Sequence, residues 1–178
     1  MEDVIRKAKD ALYTFTSTEE PRTTTVTDTT IDEKTGKVTV TETEVTEIWK
    51  IYTIVYNGEA YFEVSKDQKH PFIVQTEHIN VQVLGTHFNV DAYRNSPEVK
   101  TTLLTGSVAV SNKRNSVRMI LKPNEIAIYN KVGNKLTRQV TKNAKDEISW
   151  RDGEFIFDNL PLGEIARELS NSFDTPIH

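Results

Sequence analysis

The sequence predicts a mainly β protein: an antiparallel sandwich, an open barrel or a short solenoid, with an N-terminal helix and a partial C-terminal βαβ appendage. Three observations predict this class. Short segments with strand-like alternation recur between residues 22 and 142, turn residues separate them, and apolar residues take helical spacing near both ends. The chain of 178 residues divides into a helix and linker at 1–21, a β domain at 22–142 and the start of a small α+β domain at 143–178.

Composition excludes several kinds of function. The chain has 22 Lys and Arg against 26 Asp and Glu and no long basic run, so we do not expect it to bind nucleic acid. The absence of cysteine excludes disulfides, thiol catalysis and cysteine-based zinc sites. No apolar run approaches the roughly 18 residues of a spanning helix, so we expect a soluble chain without signal or anchor.

The first element is predicted to be an amphipathic helix at residues 2–15. Val4, Ile5, Ala8, Leu12 and Phe15 recur at helical spacing, and two acidic residues stand at the start, where the helix dipole favours them. Such a helix needs a surface to cover, so we expect it to pack against the β domain.

The next segment, residues 22–56, reads as an atypical Thr-rich hairpin followed by a strand. Arg22 to Thr46 contains eleven threonines, and "DEKTGK" at 32–37 separates two Thr/Val-rich arms. The run "EIWKIYTIVY" at 47–56 carries apolar residues on both faces, which predicts a strand that is covered on both sides.

Five further segments between residues 59 and 130 are predicted to be strands: "EAYFEVS", "PFIVQT", "VQVLGTHFNVDAY", "VKTTLLTGSVAVS" and "RMILKPNEIAIYN". In the third of them the apolar positions change from odd to even numbers at Leu84-Gly85. A glycine at such a change is typical of a β-bulge within one strand.

After this glycine, His87, Asn89 and Asp91 occupy every second position. A strand rises about 3.3 Å per residue, so His87 and Asp91 stand roughly 13 Å apart and cannot share one metal ion. Phe88 and Val90 point the other way, toward the core. We therefore expect the polar row to be a solvated strand face, and no metal or cofactor site is predicted.

The last 36 residues predict a strand at "EFIF", a helix from about Pro161 to Ser172 and another strand at "TPIH". Leu162, Ile165 and Leu169 form the apolar face of this helix and are expected to be buried. Three polar residues should then point outward as candidate partner-binding residues: Arg167, Glu168 and Asn171.

Several of these segments carry a family resemblance. The runs "NGEAYFEVSKD", "HPFIVQTEHINVQVLGTHFNVDAY", "TTLLTGSVAVS" and "LKPNEIAIYN", from Asn57 to Asn130, closely resemble the FecR family of bacterial anti-sigma regulators in the form common among Bacteroidetes. The C-terminal run "WRDGEFIFDNLPLGEIARELSNSFDTPIH" resembles the small domain that follows in the same proteins, which is similar to the signalling domain of some outer-membrane receptors.

The resemblance implies a function. Such proteins join a cytoplasmic segment, which binds an extracytoplasmic-function sigma factor, through one membrane helix to a periplasmic part that senses a TonB-dependent transporter. This chain resembles the periplasmic part only, so the implied partner is the N-terminal signalling domain of that receptor. Residues 1–56 are not recognised, and either a divergent branch or an engineered segment would account for them.

The sequence gives less support to two other classes of function. No nucleophile, metalloprotease or phosphate-loop motif is present, and the carboxylate pairs, such as Asp152 with Glu154, stand near turns, so an enzyme is not expected. A glycan-binding or small-ligand-binding sandwich would need exposed aromatics. The candidates for that role are Trp49, Tyr52, Tyr56, Tyr61 and Tyr93.

Overall fold

The structure is a computed structural model that describes residues 5–31, 38–114, 116–157, 159–173 and 175–177. Within these ranges the chain forms ten strands, one 3₁₀ helix and one α-helix. The strands are β1 (Ile5–Ile31), β2 (Val38–Glu63), β3 (Phe72–Gln75), β4 (Ile79–Val83), β5 (His87–Asp91), β6 (Glu98–Thr105), β7 (Val108–Asn112), β8 (Arg118–Leu121), β9 (Glu125–Asn130) and β10 (Lys135–Val140). The 3₁₀ helix is Asp146–Asp152, and α1 is Leu162–Phe173.

All ten strands belong to one curled sheet with the order β10-β9-β6-β5-β2-β3-β4-β7-β8, and β1 pairs with β2. Strand β2 joins the two halves, since residues 59–63 pair antiparallel with β5 and residues 52–55 pair parallel with β3. Arg138 Nη2 on β10 donates to the Ile120 carbonyl on β8 at 2.9 Å, so the two ends of this order approach each other. The result is an open half-barrel, which confirms the mainly β class.

The core fills the concave side of the sheet. Phe62 on β2 and Phe88 on β5 are fully buried and stack with ring centroids 5.0 Å apart. Tyr56 meets Phe62 edge-on, and Phe72 from β3 lies 6.0 Å from the same ring. These rings come from both halves of the sheet, so they hold its curl by packing that the strand ladder alone would not supply.

The predicted N-terminal helix is wrong over the residues that the structure describes, because Ile5 to Ile31 form β1. This strand runs antiparallel along the whole of β2, from Ile5 opposite Phe62 to Ile31 opposite Val38. An unpaired strand edge presents a row of backbone N–H and C=O groups, and β1 satisfies that row on β2. Tertiary pairing therefore overrides the local helical spacing.

The Thr-rich hairpin is confirmed in its two arms, while its turn at 32–37 lies outside the described residues. Thr23 pairs with Thr46, and Val26 with Thr43. Both faces of the described arms are exposed between residues 16 and 46. The prediction of a strand covered on both sides at 47–56 is wrong, since Ile54 is fully buried but Val55 on the opposite face is 49% exposed.

The predicted β-bulge at Gly85 is instead a crossing between the two halves of the sheet. β4 ends at Val83 and pairs with β3 and β7, whereas β5 begins at His87 and pairs with β2 and β6. Val83 and Phe88 are both buried, as the change of phase required. In one continuous strand, residues 83 and 88 would point to opposite faces. The strand therefore ends at Val83, and a new strand begins at His87.

The C-terminal helix is confirmed, but neither strand of the predicted βαβ appendage is present among described residues 143–157, 159–173 and 175–177. Phe155 stacks on Phe157, and its ring lies 5.6 Å from that of Phe173 on α1. A short strand needs a neighbouring strand for its hydrogen bonds, and no neighbour is placed beside these residues. The segment therefore wraps α1 by aromatic contact.

Candidate functional site at the C-terminal helix

The candidate site lies between the outer face of β5 and β6 and the C-terminal segment. Alternation along β5 sends Asn89 and Asp91 away from the core, and Lys100 on β6 is directly opposite Asp91 in the ladder. Asn89 Nδ2 donates to Glu59 Oε1 on β2 at 2.9 Å. These side chains form a polar platform on the convex side of the sheet.

The platform is covered rather than solvated. Asn89 is only 4% exposed and Asp91 is partly buried, whereas His87 is exposed. The cleft around them is lined by Glu147 and Trp150 of the 3₁₀ helix and by Glu168 of α1. The expectation of a solvated strand face is therefore wrong for Asn89 and Asp91, because the C-terminal segment folds back over them.

Two polar contacts fasten α1, one to Lys100 of this platform and one to the loop between β5 and β6. Glu168 Oε1 lies 3.6 Å from Lys100 Nζ, and Asn171 Oδ1 accepts a hydrogen bond from Asn95 Nδ2 at 2.6 Å. Residues 168 and 171 are three apart and so share one side of the helix. The predicted outward orientation is wrong for both, and a role for them in binding a partner stays a prediction.

Arg167, the third predicted contact residue, lies beside the platform rather than on it. Its Nη2 is 4.0 Å from Glu164 Oε2 one turn earlier, and both side chains are partly exposed. It borders a groove between the helix and the loop after β5, which also includes Ser170, Asn171 and Ile177. Arg167 is as exposed as Glu168, at 32%, but its ion pair is with its own helix rather than with the sheet.

The 3₁₀ helix adds a second attachment. The Arg151 guanidinium lies 4.1 Å from the centre of the Tyr61 ring on β2, a cation–π contact. Gly153 then ends this helix in the left-handed conformation, with φ of 82°, and its N–H donates to the Trp150 carbonyl. This reversal directs Phe155 and Phe157 back toward α1.

Burial, and after it the neighbouring charges, change the pKa values of the groups around the platform. Burial raises the pKa of Asp91 to about 6; the nearby Lys100 charge opposes the rise and Glu168 adds to it. Burial also raises the pKa of Glu147, with further repulsion from Glu168. Burial alone would lower the pKa of Lys100, but the surrounding carboxylates, Glu168 first, raise it above its usual value.

The two ends of the apolar side of α1 are exposed, which contradicts the predicted burial of Leu162. Leu162 is 81% exposed and Phe173 61%, while Ile165 and Leu169 are partly buried. Ile156 and Ile177 beside the helix are also exposed, at 51% and 40%. The helix thus contacts β6 through Glu168 and the β5–β6 loop through Asn171, and it presents apolar groups to solvent.

The alternative functional sites gain no support from this arrangement. The five candidate aromatics do not gather in one cleft: Tyr56 packs in the core, Tyr61 lies under Arg151, and Trp49 lies under Arg22 in the hairpin. Within the described ranges, no group of three or more His, Asp or Glu side chains is placed to hold a metal ion. The described part of the chain has no helix long and apolar enough to cross a membrane.

The cluster of Asp91, Lys100 and Glu147 is the feature that sequence reasoning missed. The polar alternation on β5 was visible, but it has the same appearance on a solvated face and on a covered one. The signal that could have distinguished them is the run "DEISW", whose acidic and aromatic residues form the 3₁₀ helix that covers this face.

Comparisons with known proteins agree with this fold. Residues 22–109 match the family described as "FecR protein", so the match includes the described arms of the Thr-rich hairpin. No curated protein matched the sequence.

Two crystal structures of proteins from Parabacteroides distasonis ATCC 8503, each described as a "putative anti-sigma factor", are similar. The one at 1.65 Å resolution has 31% identity and a TM-score of 0.64, over 70% of this chain and 57% of that one. The one at 2.50 Å has 27% identity and a TM-score of 0.65, over 92% and 76%. This chain thus spans little more than half the length of the first. Residues 22–109 thus match the FecR family, and the chain is similar in fold to two proteins described as anti-sigma factors.

Proposed function

We propose that the chain is the periplasmic sensing part of a transmembrane anti-sigma regulator. It relays the state of a TonB-dependent outer-membrane transporter to an extracytoplasmic-function sigma factor by protein–protein binding. Its direct partner is the N-terminal signalling domain of the transporter, and a cytoplasmic segment of the natural protein contacts the sigma factor. The FecR match and the two anti-sigma neighbours support this proposal. The family is regulatory, so no catalytic residue is assigned.

The observation that carries the proposal is the exposed apolar side of α1. Leu162 and Phe173 are among the most exposed large apolar side chains of the described residues, and Ile156 and Ile177 lie close to the same helix. Exposed apolar side chains along one helix, bordered by polar residues, are typical of a protein-binding site. The rim here includes Arg167 and Glu164.

The polar contacts on the other side of the helix hold this apolar surface in a fixed position. Glu168 and Asn171 hold α1 against Lys100 and Asn95, so Leu162 and Phe173 are presented on a positioned helix rather than on a loose segment. Preorganisation of this kind lowers the entropy cost of binding. A partner that inserts apolar side chains against α1 would also reach Arg167.

The test is a titration of the natural full-length protein, and of this chain, with the signalling domain of the receptor encoded beside it. Leu162→Asp places a charge in the apolar surface and should weaken binding by about tenfold or more, since burying an unpaired charge is costly. Val132→Asp is the matched control, because Val132 is similarly exposed, at 86%, but lies in the turn after β9 rather than on α1. Charge reversals at Arg167 and Glu168 separate the rim from the attachment to the sheet.

The proposal predicts that Arg167→Glu weakens binding and leaves α1 attached to the sheet. Glu168→Lys should instead detach the helix from Lys100. It is contradicted if the full-length protein binds no such domain and its deletion leaves sigma-dependent transcription unchanged. Equal affinities for the Leu162→Asp and Val132→Asp variants would place the binding surface elsewhere.

A further inference from the structure

The Thr-rich ribbon, defined as residues 22–31 of β1 and 38–47 of β2, has no role in the proposed function. Beyond Tyr52, where β3 begins to pair, the two arms have only each other as strand neighbours in the described part of the chain. At about 3.3 Å per residue, the ten residues from Arg22 to Ile31 extend roughly 30 Å. Every described residue of the ribbon except Glu47 is exposed.

An isolated two-stranded ribbon is marginally stable in water, and its two outer edges carry unpaired backbone groups. Natural edge strands are usually short, bulged or charged, whereas residues 23–27 of β1 form a regular uncharged run of threonine and valine. Val26 is 52% exposed and Val45 40%, on the same face of the ribbon. The outer edge of β1 in the ribbon is therefore suited to pair with another strand.

We propose that the outer edge of β1 pairs antiparallel with the same edge of a second copy of this chain, about a two-fold axis at Thr25. In this register Arg22 of each copy stands opposite Asp28 of the other, so one interface contains two identical charge pairs. Thr24 stands opposite Val26, and Thr23 opposite Thr27. Directly opposite residues lie on the same face, so these side chains contact each other across the new ladder.

Charge distinguishes this edge from the outer edge of β2. Residues 38–47 of the β2 arm carry three glutamates and no cation, so no two-fold register within them gives an opposite-charge pair, and an axis at Thr43 would put Glu42 opposite Glu44. Like charges directly opposite each other destabilise a strand pair. Along the β1 edge, the register at Thr25 places no like charges opposite each other between Glu19 and Ile31.

The proposed pairing also gives a closed dimer rather than an open chain of copies. A two-fold interface uses the same edge of both copies and stops at a dimer, whereas β1 pairing with β2 of another copy would continue as a filament. Pro21 has no backbone N–H to donate, so it limits the new ladder just beyond Arg22. The result is a four-stranded sheet that joins two half-barrels through their ribbons.

The experiment is sedimentation velocity of the wild-type chain and two charge reversals over the widest usable concentration range. Arg22→Asp and Asp28→Arg each turn two attractive pairs into two repulsive ones, so each should weaken self-association by about tenfold. Mixed in equal amounts, the two variants should associate with each other, because the mixed dimer restores both opposite-charge pairs. The double variant Arg22→Asp with Asp28→Arg should also associate.

Glu42→Arg is the matched control: it makes the same change in charge as Asp28→Arg but lies on the β2 arm, so self-association should not weaken. Circular dichroism of each variant checks that the strands are retained. A wild-type chain that stays monomeric at every concentration overturns the proposal. So does a mixture of the two single variants that does not associate, or self-association that both single reversals leave unchanged.

Discussion

Gly85 occupies a backbone conformation that side chains rarely adopt, with φ of 130°. An added Cβ would lie 2.4 Å from the Lys66 Cα, so the segment beside it would have to move. The segment that contains Lys66 is hydrogen-bonded to the residues after Gly85, since Val64 and Thr86 exchange two backbone hydrogen bonds of 3.0 and 3.1 Å. The residue thus permits the chain to cross from β4 to β5 while a neighbouring segment packs closely against it.

Gly85→Ala should lower the free energy of unfolding by about 1–3 kcal/mol, because it adds both backbone strain and a steric clash. Gly163→Ala is the matched control. A Cβ at Gly163 meets nothing within 4 Å in the first turn of α1, so it should be neutral or stabilise by up to about 1 kcal/mol. Urea unfolding of both variants measures this, and equal stabilities would contradict the account of the crossing.

Asp91 should make the stability of the fold depend on pH, because its pKa is raised to about 6 from an ordinary value of 3.8. A raised carboxyl pKa means that the folded protein binds the proton more tightly than the unfolded chain. The stabilisation is therefore fully present below pH 3.8 and is lost as the pH rises through about 6. Lys100 and Lys131 oppose the rise, while Glu168 adds to it.

Asp91→Asn should remove most of this pH dependence. Between about pH 4 and 7, the wild type should lose roughly 1–3 kcal/mol relative to the variant, since one pKa unit corresponds to about 1.4 kcal/mol. The exposed Asp152, changed to Asn, serves as the control and should follow the wild type. A variant Asp91→Asn with the same dependence on pH as the wild type would show that this carboxyl does not govern it.

Among the elements, α1 was the most predictable and β1 the least. Pro161, Leu162, Ile165 and Leu169 predicted a helix to about Ser172, and the helix runs from Leu162 to Phe173. Local capping and spacing suffice for an element that makes its own hydrogen bonds. Residues 5–15 have comparable helical spacing but form a strand, because their hydrogen bonds go to β2, far away in sequence.

The register of β1 on β2 can be tested with a disulfide, and the chain has no cysteine of its own. Thr23 and Thr46 are opposite each other, with their hydroxyl oxygens 2.9 Å apart. The double variant Thr23→Cys with Thr46→Cys should therefore oxidise readily to an intramolecular disulfide. Thr24→Cys with Thr46→Cys, one residue out of register, should not; readier closure of this pair in a thiol titration would disprove the pairing.

The attachment of α1 depends on one lysine among several carboxylates, and Lys100→Met should loosen it. Without that charge, Glu168, Asp91 and Glu147 repel each other in a poorly solvated place. Amide hydrogen exchange over residues 162–173 should become faster, while the core strands keep their protection. Lys135→Met, on exposed β10, is the control and should leave amide exchange in α1 unchanged. Unchanged exchange in Lys100→Met would show that α1 is held in another way.

At the scale of the whole molecule, the sequence predicted the class but not the order of the strands. Alternation identified most strands, and the change of phase at Gly85 placed both Val83 and Phe88 in the core. The parallel pairing of β2 with β3 and the shared role of β2 depend on contacts across the curled sheet, which short-range patterns do not encode. The covering of Asn89 and Asp91 was missed for the same reason.

The most direct test of the central claim is sigma-dependent transcription in cells that carry the natural full-length protein with one substitution. When the transporter is active, Leu162→Asp should change the output of a reporter gene, because the charge disrupts the apolar surface of α1. Val132→Asp, in the turn after β9, should give the wild-type response. Reporter output that is the same for Leu162→Asp as for the wild type, in cells where both proteins are equally abundant, would contradict the assignment of α1 as the receptor-binding surface.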